Sequence, residues 1–206
     1  MTILHHNDKA CYFIHIPRTG GEYVTSLFNE SDRGEDYKLF LNENERLGGI
    51  VLQHLHYPLY NWYFNLEKIP HITIVREPWE KFKSALNCMY GMHNDYYDDN
   101  FKDQESFDDF MAWEREVRSY HNNWFMPQYK FISPTTHYWK YESGFGNDFI
   151  QWVYDKTGMK IESPHNINSE LPSHSRETKV KYNFDEEKVA KFVKEYYNKD
   201  YVTFDY

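Results

Sequence analysis

The chain has 206 residues and a formal net charge of −9, and aromatic residues make up 19% of it. The aromatic content argues against a disordered chain, because each aromatic side chain can bury a large area. The acidic balance argues against a general nucleic-acid binder, which needs a basic face to replace counterions. The length predicts one domain spanning residues 1–206.

The two cysteines and the hydropathy pattern bear on location. Cys11 and Cys88 form neither a disulfide framework nor a CxxC metal pattern, and they are typical of reduced thiols in a cytoplasmic protein. The polar N-terminal residues do not have the pattern of a signal peptide. No stretch approaches the roughly 18 apolar residues of a membrane span. We therefore expect a soluble, cytoplasmic protein without a membrane partner.

Strand-like and helix-like segments alternate along the chain. Short runs rich in aromatic and β-branched residues predict strands, and apolar residues at helical spacing predict helices. The alternation predicts an α/β domain whose central parallel sheet is flanked by helices. The predicted strands are 10–16, 48–52, 71–76 and 135–141, and the predicted helices are 22–29, 78–89, 106–118, 148–156 and 185–198.

The first chemical motif is the segment FIHIPRTGG, residues 13–21, between a predicted strand and helix. A glycine turn at this place directs backbone N–H groups and the positive end of the helix dipole at one point. Arg18 adds a planar donor fork suited to a phosphate or sulfate. The turn matches neither the GxxxxGK[ST] nor the GxGxxG nucleotide pattern. By itself it could equally be a simple connection.

The second motif is REPWEKFKS, residues 76–84, where a strand ends and Pro78 begins a helix. Arg76 lies at the carboxyl edge of a predicted parallel strand, which is where open α/β sheets bind ligands. Ser84 follows about two helical turns later. The sequence thus predicts an anion site formed by both motifs.

Together the two motifs resemble those of sulfotransferases that use 3′-phosphoadenosine 5′-phosphosulfate (PAPS). The closest branch is the carbohydrate group that includes heparan sulfate 2-O- and 6-O-sulfotransferases. Three further segments are similar to motifs of that group, and a fourth is similar to a stretch of its 2-O branch. The matches span residues 12–206 in order. The further segments are QHLHY (53–57), YWKYESGFGND (138–148) and YYNKDYVTFDY (196–206), and the fourth is SHSR (173–176).

The resemblance implies transfer of a sulfuryl group from PAPS to a carbohydrate hydroxyl, with adenosine 3′,5′-bisphosphate as the product and without a metal. It implies a P-loop-like nucleotide site in which His54 is the general base and Arg18 stabilises charge on the leaving phosphate. The implied cofactor-binding residues are Pro17, Arg18, Thr19, Gly20, Gly21, Arg76, Ser84, Ser173 and Arg176. The implied acceptor-binding residues are His56, Tyr57 and Gln128.

The sequence departs from the family pattern at several positions. Arg18 stands where the family has lysine, which retains the charge but loses a titratable ammonium. Glu22 replaces a threonine or serine that helps to hold phosphate. Its carboxylate would repel the donor unless it points away or pairs with an arginine. Gln53 replaces the glycine before the base.

Several residues have a structural interpretation beside the functional one. His15, inside a predicted strand, is typical of a core histidine. His56 alternates with His54, so a shared metal is disfavoured and His56 could simply pack or form a hydrogen bond. The aromatic run from Tyr57 to Phe64 fits either the core or the wall of an acceptor site.

Alternative functions remain open from the sequence. The acceptor could be a tyrosyl, phenolic or small alcohol hydroxyl. A P-loop-like nucleotide kinase and a non-catalytic glycan-binding protein are alternatives in other classes. The acidic charge disfavours a long sulfated polymer as acceptor, because such a polymer would need an extended basic groove. The aromatic surplus favours a neutral sugar or another ring-bearing acceptor.

Overall fold

The computed structural model describes residues 2–6, 8–30, 46–47, 50–64, 66, 68–92, 103–117, 123–161 and 185–206. Within these ranges the strands are β1 (Thr2–His6), β2 (Lys9–Ile14), β3 (Arg46–Leu47), β4 (Ile50–Val51), β5 (His71–Val75) and β6 (His137–Lys140). The α-helices are α1 (Gly21–Glu30), α2 (Tyr57–Phe64), α3 (Pro78–Met92), α4 (Gln104–Val117), α5 (Asn147–Thr157), α6 (Glu186–Tyr196) and α7 (Asn198–Phe204). Short 3₁₀ helices cover Leu52–His54, Gln128–Lys130 and Tyr141–Ser143.

The main sheet has the strand order β1-β2-β5-β6. β2, β5 and β6 run parallel, whereas β1 pairs antiparallel with β2. The α/β prediction is confirmed, but the prediction of a parallel sheet is wrong at this edge, where the sheet is mixed. Two residues connect β1 to β2, and a connection of that length permits only an antiparallel pair. β3 and β4 form a separate antiparallel pair.

Both faces of the main sheet are covered, because successive side chains along a strand point in opposite directions. On one face, Cys11 and Phe13 of β2 pack in a cluster with α1 and α5. On the other face, Tyr12 and Ile14 pack in a cluster with Tyr60 of α2. This two-sided burial explains why all five residues of β5 are buried, including the polar His71 and Thr73.

A third cluster lies among helices α3, α4 and α6. Its buried residues include Phe82, Phe107, Val189 and Val193. The Asp185 side chain caps α6 by accepting from two backbone N–H groups, and Gly158 ends α5 in the left-handed conformation. The predicted stop at Gly158 is confirmed.

The predicted elements at 10–16, 22–29, 71–76, 78–89, 106–118, 135–141 and 148–156 are observed with shifts of a few residues at their ends. Of the predicted strand at 48–52, residues 48–49 lie outside the described residues, Ile50 and Val51 form β4, and Leu52 begins a 3₁₀ helix. The predicted helix at 185–198 is divided into α6 and the start of α7. An acidic loop is predicted at 93–105, and its residues 93–102 lie outside the described residues, whereas Gln104 and Glu105 form the start of α4. The irregular segment predicted at 164–176 lies outside the described residues. Across the described part of the chain, no helix has the length and apolar character needed to cross a membrane.

Candidate functional site

The glycine turn connects β2 to α1 at the carboxyl edge of the parallel strands. Arg18 and Gly20 have φ angles of 67° and 92°, both in the left-handed region. The Thr19 hydroxyl donates to the Ile16 carbonyl at 2.8 Å, and the Val24 N–H donates to the Gly20 carbonyl at 3.3 Å. Gly20 is therefore the N-cap of α1, and the N–H groups of the first helical turn have no acceptor within the helix.

Aromatic rings pack directly against both glycines of this turn. A Cβ atom on Gly20 would lie 2.9 Å from the Tyr141 ring, and one on Gly21 would lie 2.5 Å from the His15 ring. Both distances are too short for a side chain. The two rings therefore fix the path of the turn, and glycine is required at both positions.

The Arg18 side chain crosses from the turn to helix α3. Its Nε and Nη2 atoms donate to the Ser84 hydroxyl at 3.2 and 3.1 Å, and Nη1 lies 3.2 Å from the Cys88 sulfur. The structure thus brings together two predicted site residues that are 66 positions apart. Ser84 acts as an anchor that sets the direction of the guanidinium.

Arg76 follows β5 and reaches the same turn. Its Nη1 donates to the Arg18 carbonyl at 3.4 Å, and its guanidinium lies 4.6 Å from the centre of the Tyr141 ring. Glu80 offers a carboxylate oxygen 3.9 Å from Nη2. Arg18 therefore contacts both Ser84, through its side chain, and Arg76, through its carbonyl, and the two arginines place positive charge beside the glycine turn.

His54 ends the 3₁₀ helix Leu52–His54 and is only 8% exposed. Its ring lies edge-on to the His15 ring at 5.2 Å between centroids, and its carbonyl accepts from the Asn123 amide at 2.9 Å. Because the His15 ring also packs on Gly21, it connects His54 to the glycine turn.

His15 is buried, as the sequence predicts for a core histidine. Burial lowers its pKa to about 4, and the nearby Arg18 charge contributes in the same direction. His15 is therefore a neutral ring at pH 7, placed between the candidate base and the turn.

His56 and Tyr57 lie at the start of α2. The His56 carbonyl accepts from the N–H groups of Leu59 and Tyr60, which begins the helix. The Tyr57 ring contacts the Tyr60 ring at 5.5 Å between centroids. The aromatic run is divided, because Tyr60 is fully buried whereas Trp62 is 77% exposed. Part of the run is therefore core and part faces solvent.

Gln128, for which the resemblance implies a role in acceptor binding, lies beside Arg76. It is completely buried, its Oε1 accepts from the Arg76 N–H at 2.9 Å, and its Nε2 donates to the Arg76 carbonyl at 2.7 Å. Both ends of the amide thus form hydrogen bonds with the backbone of one residue, Arg76. The buried side chain therefore holds the backbone of Arg76.

Glu142 holds the next residue. Its Oε1 accepts from the Glu77 N–H at 2.7 Å, while its Oε2 accepts from the Tyr206 hydroxyl at 2.8 Å. Sequence reasoning did not identify Glu142, Lys81, Asn123 or Asp200 as supports of the site. No local pattern marks them, because their partners are distant in sequence.

The remaining predicted residues are Pro17, which is buried in the turn, and Glu22, which is exposed in the first turn of α1. Ser173 and Arg176 lie outside the described residues. Among the residues with described positions, no group of three or more His, Cys, Asp or Glu side chains is arranged to hold a metal ion.

The arrangement is chemically suited to an anion with two charged groups. The Arg18 side chain bonds to Ser84, the Arg76 guanidinium donates to the Arg18 carbonyl, and the Tyr141 ring lies against Arg76. Comparisons of this chain with protein-family models, with curated proteins and with solved structures gave no match.

Proposed function

We propose that the protein is a PAPS-dependent sulfotransferase that transfers a sulfuryl group to a hydroxyl of a carbohydrate acceptor. The observation that carries the proposal is the convergence of Arg18, Arg76 and Ser84 at the glycine turn. These three residues come from the two motifs that resemble the family's phosphosulfate and 3′-phosphate motifs. In this proposal residues 1–206 form one domain with a P-loop-like strand, turn and helix.

The residues present fit a donor that carries several anionic groups. Gly20 and Gly21 carry no side chain of their own that could stand between a ligand and the backbone N–H groups of the turn. Arg18 and the α1 amides would hold the 5′ phosphosulfate, and Arg76 with Ser84 would hold the 3′-phosphate. Bound PAPS would supply an activated sulfuryl group.

His54 acts as the general base in the proposed reaction. It takes the proton of the acceptor hydroxyl, whose oxygen bonds to sulfur as the bond between sulfur and the phosphate oxygen breaks. An imidazole suits this step, because its ordinary pKa lies near neutral pH. Arg18 and the amides of the turn stabilise the charge that develops on the phosphate oxygens. Because His54 is 8% exposed, the acceptor must present its hydroxyl at the tip of a narrow group.

A neutral sugar is the acceptor that the surface favours. α2 begins three residues after His54 and carries the half-buried Tyr57 and the exposed Trp62. Aromatic faces of this kind stack on sugar rings, and they also suit a phenolic acceptor, which is the alternative within the same class. A heavily sulfated polymer is disfavoured by the net charge of −9.

Calorimetric titration with adenosine 3′,5′-bisphosphate tests the proposal first, and an acceptor screen with labelled PAPS tests it second. We expect micromolar or tighter binding of the bisphosphate and transfer of label to a sugar hydroxyl. Absence of both would overturn the proposal. Magnesium-dependent binding of ATP in its place would support a nucleotide kinase, and binding of a glycan alone would support a non-catalytic protein.

Two variants separate the proposed roles. His54→Ala should abolish transfer and leave the affinity for the bisphosphate nearly unchanged, whereas Arg76→Ala should weaken that affinity by about 10- to 100-fold. His137→Ala and Lys188→Ala, at exposed positions, serve as matched controls. Wild-type turnover in the His54 variant would remove His54 from the mechanism.

A further inference from the structure

We propose that residues 123–128, here called the bridging segment, are the positioning element that holds His54 and Arg76 in one fixed geometry. This inference rests on the proposed function for the roles of those two residues. It assigns Asn123 and Gln128 as positioning residues, neither of which contacts the reacting atoms.

The two ends of the bridging segment contact the two functional residues. At one end, the Asn123 side-chain amide donates to the His54 carbonyl at 2.9 Å. At the other end, Gln128 forms two hydrogen bonds with the backbone of Arg76. The Gln128 side-chain oxygen accepts from the Arg76 N–H, and the Gln128 side-chain nitrogen donates to the Arg76 carbonyl. Asn123 and Gln128 are 1% and 0% exposed. In both cases a buried amide side chain replaces water at a backbone group.

The middle of the bridging segment is fixed by helices on its far side. The Lys81 ammonium, which is fully buried, donates to the carbonyls of Trp124 and Met126 at 2.7 and 3.2 Å. The Tyr197 hydroxyl donates to the Phe125 carbonyl at 2.6 Å. Three successive carbonyls are therefore held by side chains of α3 and α6–α7.

The last contact fixes Gln128 itself. The Asp200 carboxylate accepts from the N–H groups of Gln128 and Tyr129 at 2.8 and 2.9 Å. Asp200 is completely buried on α7. A buried polar group that loses its partner is costly, so this network has few alternative arrangements. The spacing between His54 and Arg76 is consequently set by Asn123 and Gln128 and by the side chains that hold the segment between them.

The two ends should fail differently. Gln128→Met removes both hydrogen bonds to Arg76 with little change of volume, and it should raise the Kd for adenosine 3′,5′-bisphosphate at least about tenfold. Asn123→Gly is compatible with the left-handed backbone, whose φ is 64°, and removes the side-chain amide that donates to the His54 carbonyl. It should lower kcat at least about tenfold with the bisphosphate Kd within about twofold of wild type.

The matched control is Gln151→Met, the same substitution at an exposed position on α5. It should leave Kd and kcat unchanged. If both bridging-segment variants reduced kcat and affinity equally, in proportion to a loss of melting temperature, a merely structural role would explain them and the inference would be overturned.

Gln128→Glu gives a test by rescue. A protonated carboxylic acid can accept from the Arg76 N–H and donate to its carbonyl, as the glutamine does, whereas a carboxylate can only accept. Burial favours the neutral form. The ratio of variant to wild-type affinity should therefore rise as the pH falls from 8 to 5. A ratio that does not change with pH would contradict the role of Gln128.

Hydrogen exchange at the Arg76 amide separates this inference from the proposed function. Gln128→Met should abolish the protection of that amide, and Gln151→Met should preserve it. If wild type binds no bisphosphate, the proposed function fails, and the exchange data alone then decide whether Gln128 holds Arg76. Unchanged protection in Gln128→Met would overturn the inference even if the wild-type protein is a sulfotransferase.

Discussion

The glycine turn and the bridging segment both hold Arg76, but they owe their rigidity to different forces. The turn contacts Arg76 through the Arg18 carbonyl, and its path is fixed by two rings that press on Gly20 and Gly21. The bridging segment contacts Arg76 through Gln128, and its path is fixed by hydrogen bonds from buried side chains. The turn is therefore sensitive to side-chain atoms added at its glycines, whereas the bridging segment is sensitive to the loss of a hydrogen-bond partner.

Because of this difference, substitutions in the turn and in the bridging segment should impair the site in different ways. Added volume at the turn moves the backbone that would hold the donor. A lost hydrogen bond at the segment leaves the turn intact and frees Arg76 or His54. Variants of the turn should consequently lower stability and binding together. Among variants of the bridging segment, those at the Arg76 end should weaken bisphosphate binding, and those at the His54 end should lower kcat.

Gly21→Ala should have the largest effect. The new methyl group would lie 2.5 Å from the His15 ring, which has no free space to move into because His15 is buried. We expect a loss of about 3 kcal/mol in the free energy of unfolding, together with loss of bisphosphate binding. Urea denaturation and calorimetry measure the two quantities.

Gly146→Ala is the control for this substitution, because a Cβ atom there would meet no neighbour within 4 Å. It should change stability by less than about 1 kcal/mol. A Gly21 variant as stable as this control would contradict the steric explanation of the turn.

The neutral His15 ring should make stability depend on pH. Its pKa is about 4 in the folded protein and 6.5 as the ordinary value, so the unfolded chain binds more protons between these pH values. The contribution of His15 to the free energy of unfolding is therefore fully present above pH 6.5 and is lost as the pH falls toward 4. This one group should remove about 2 kcal/mol between pH 7 and pH 5.

Comparison of wild type with His15→Asn isolates that contribution. The variant should be less stable at pH 7 and should lose less stability on acidification, whereas His5→Asn, at a half-buried position of β1, should retain the wild-type slope. The reverse result, a wild-type slope in His15→Asn, would mean that other groups carry the pH dependence.

Glu22→Thr should have the smallest effect. Glu22 is exposed in the first turn of α1, where a negative charge favours the helix dipole but repels an anionic ligand. Replacing it should tighten binding of the bisphosphate by about three- to tenfold at low salt, and the gain should shrink as salt is added. Glu186→Thr, in the first turn of α6, is the control and should not change affinity. Equal affinity of Glu22→Thr and wild type would show that this carboxylate points away from the ligand.

The sequence predicted those parts of the site that depend on short local motifs. The sequence predicted one site for Arg18, Arg76 and Ser84 from the glycine turn and from the ends of the two strands. In the structure Arg18 bonds to Ser84, and Arg76 donates to the Arg18 carbonyl. The stop at Gly158 followed from backbone preference alone. The assignments of donor, acceptor and base remain proposals.

The unpredicted parts depend on partners that lie far along the chain. Lys81 is in an amphipathic helix where a lysine normally faces solvent, and its burial depends on carbonyls more than 40 residues away. Gln128 and Asn123 are polar residues in an irregular segment, which carries no periodic signal. β1 escaped prediction because its five residues include two histidines and its pairing with β2 supplies its stability.

The sheet order also has a consequence for folding kinetics. β1 and β2 pair across a two-residue connection, so this hairpin can close early at little entropic cost. The pairs β2–β5 and β5–β6 join residue 12 to residue 71 and residue 72 to residue 137, and such long loops close slowly. Arg18 and Arg76 approach each other only after the β2–β5 pair has formed. Competence to bind an anion should therefore appear late in refolding, after most of the helical signal has returned.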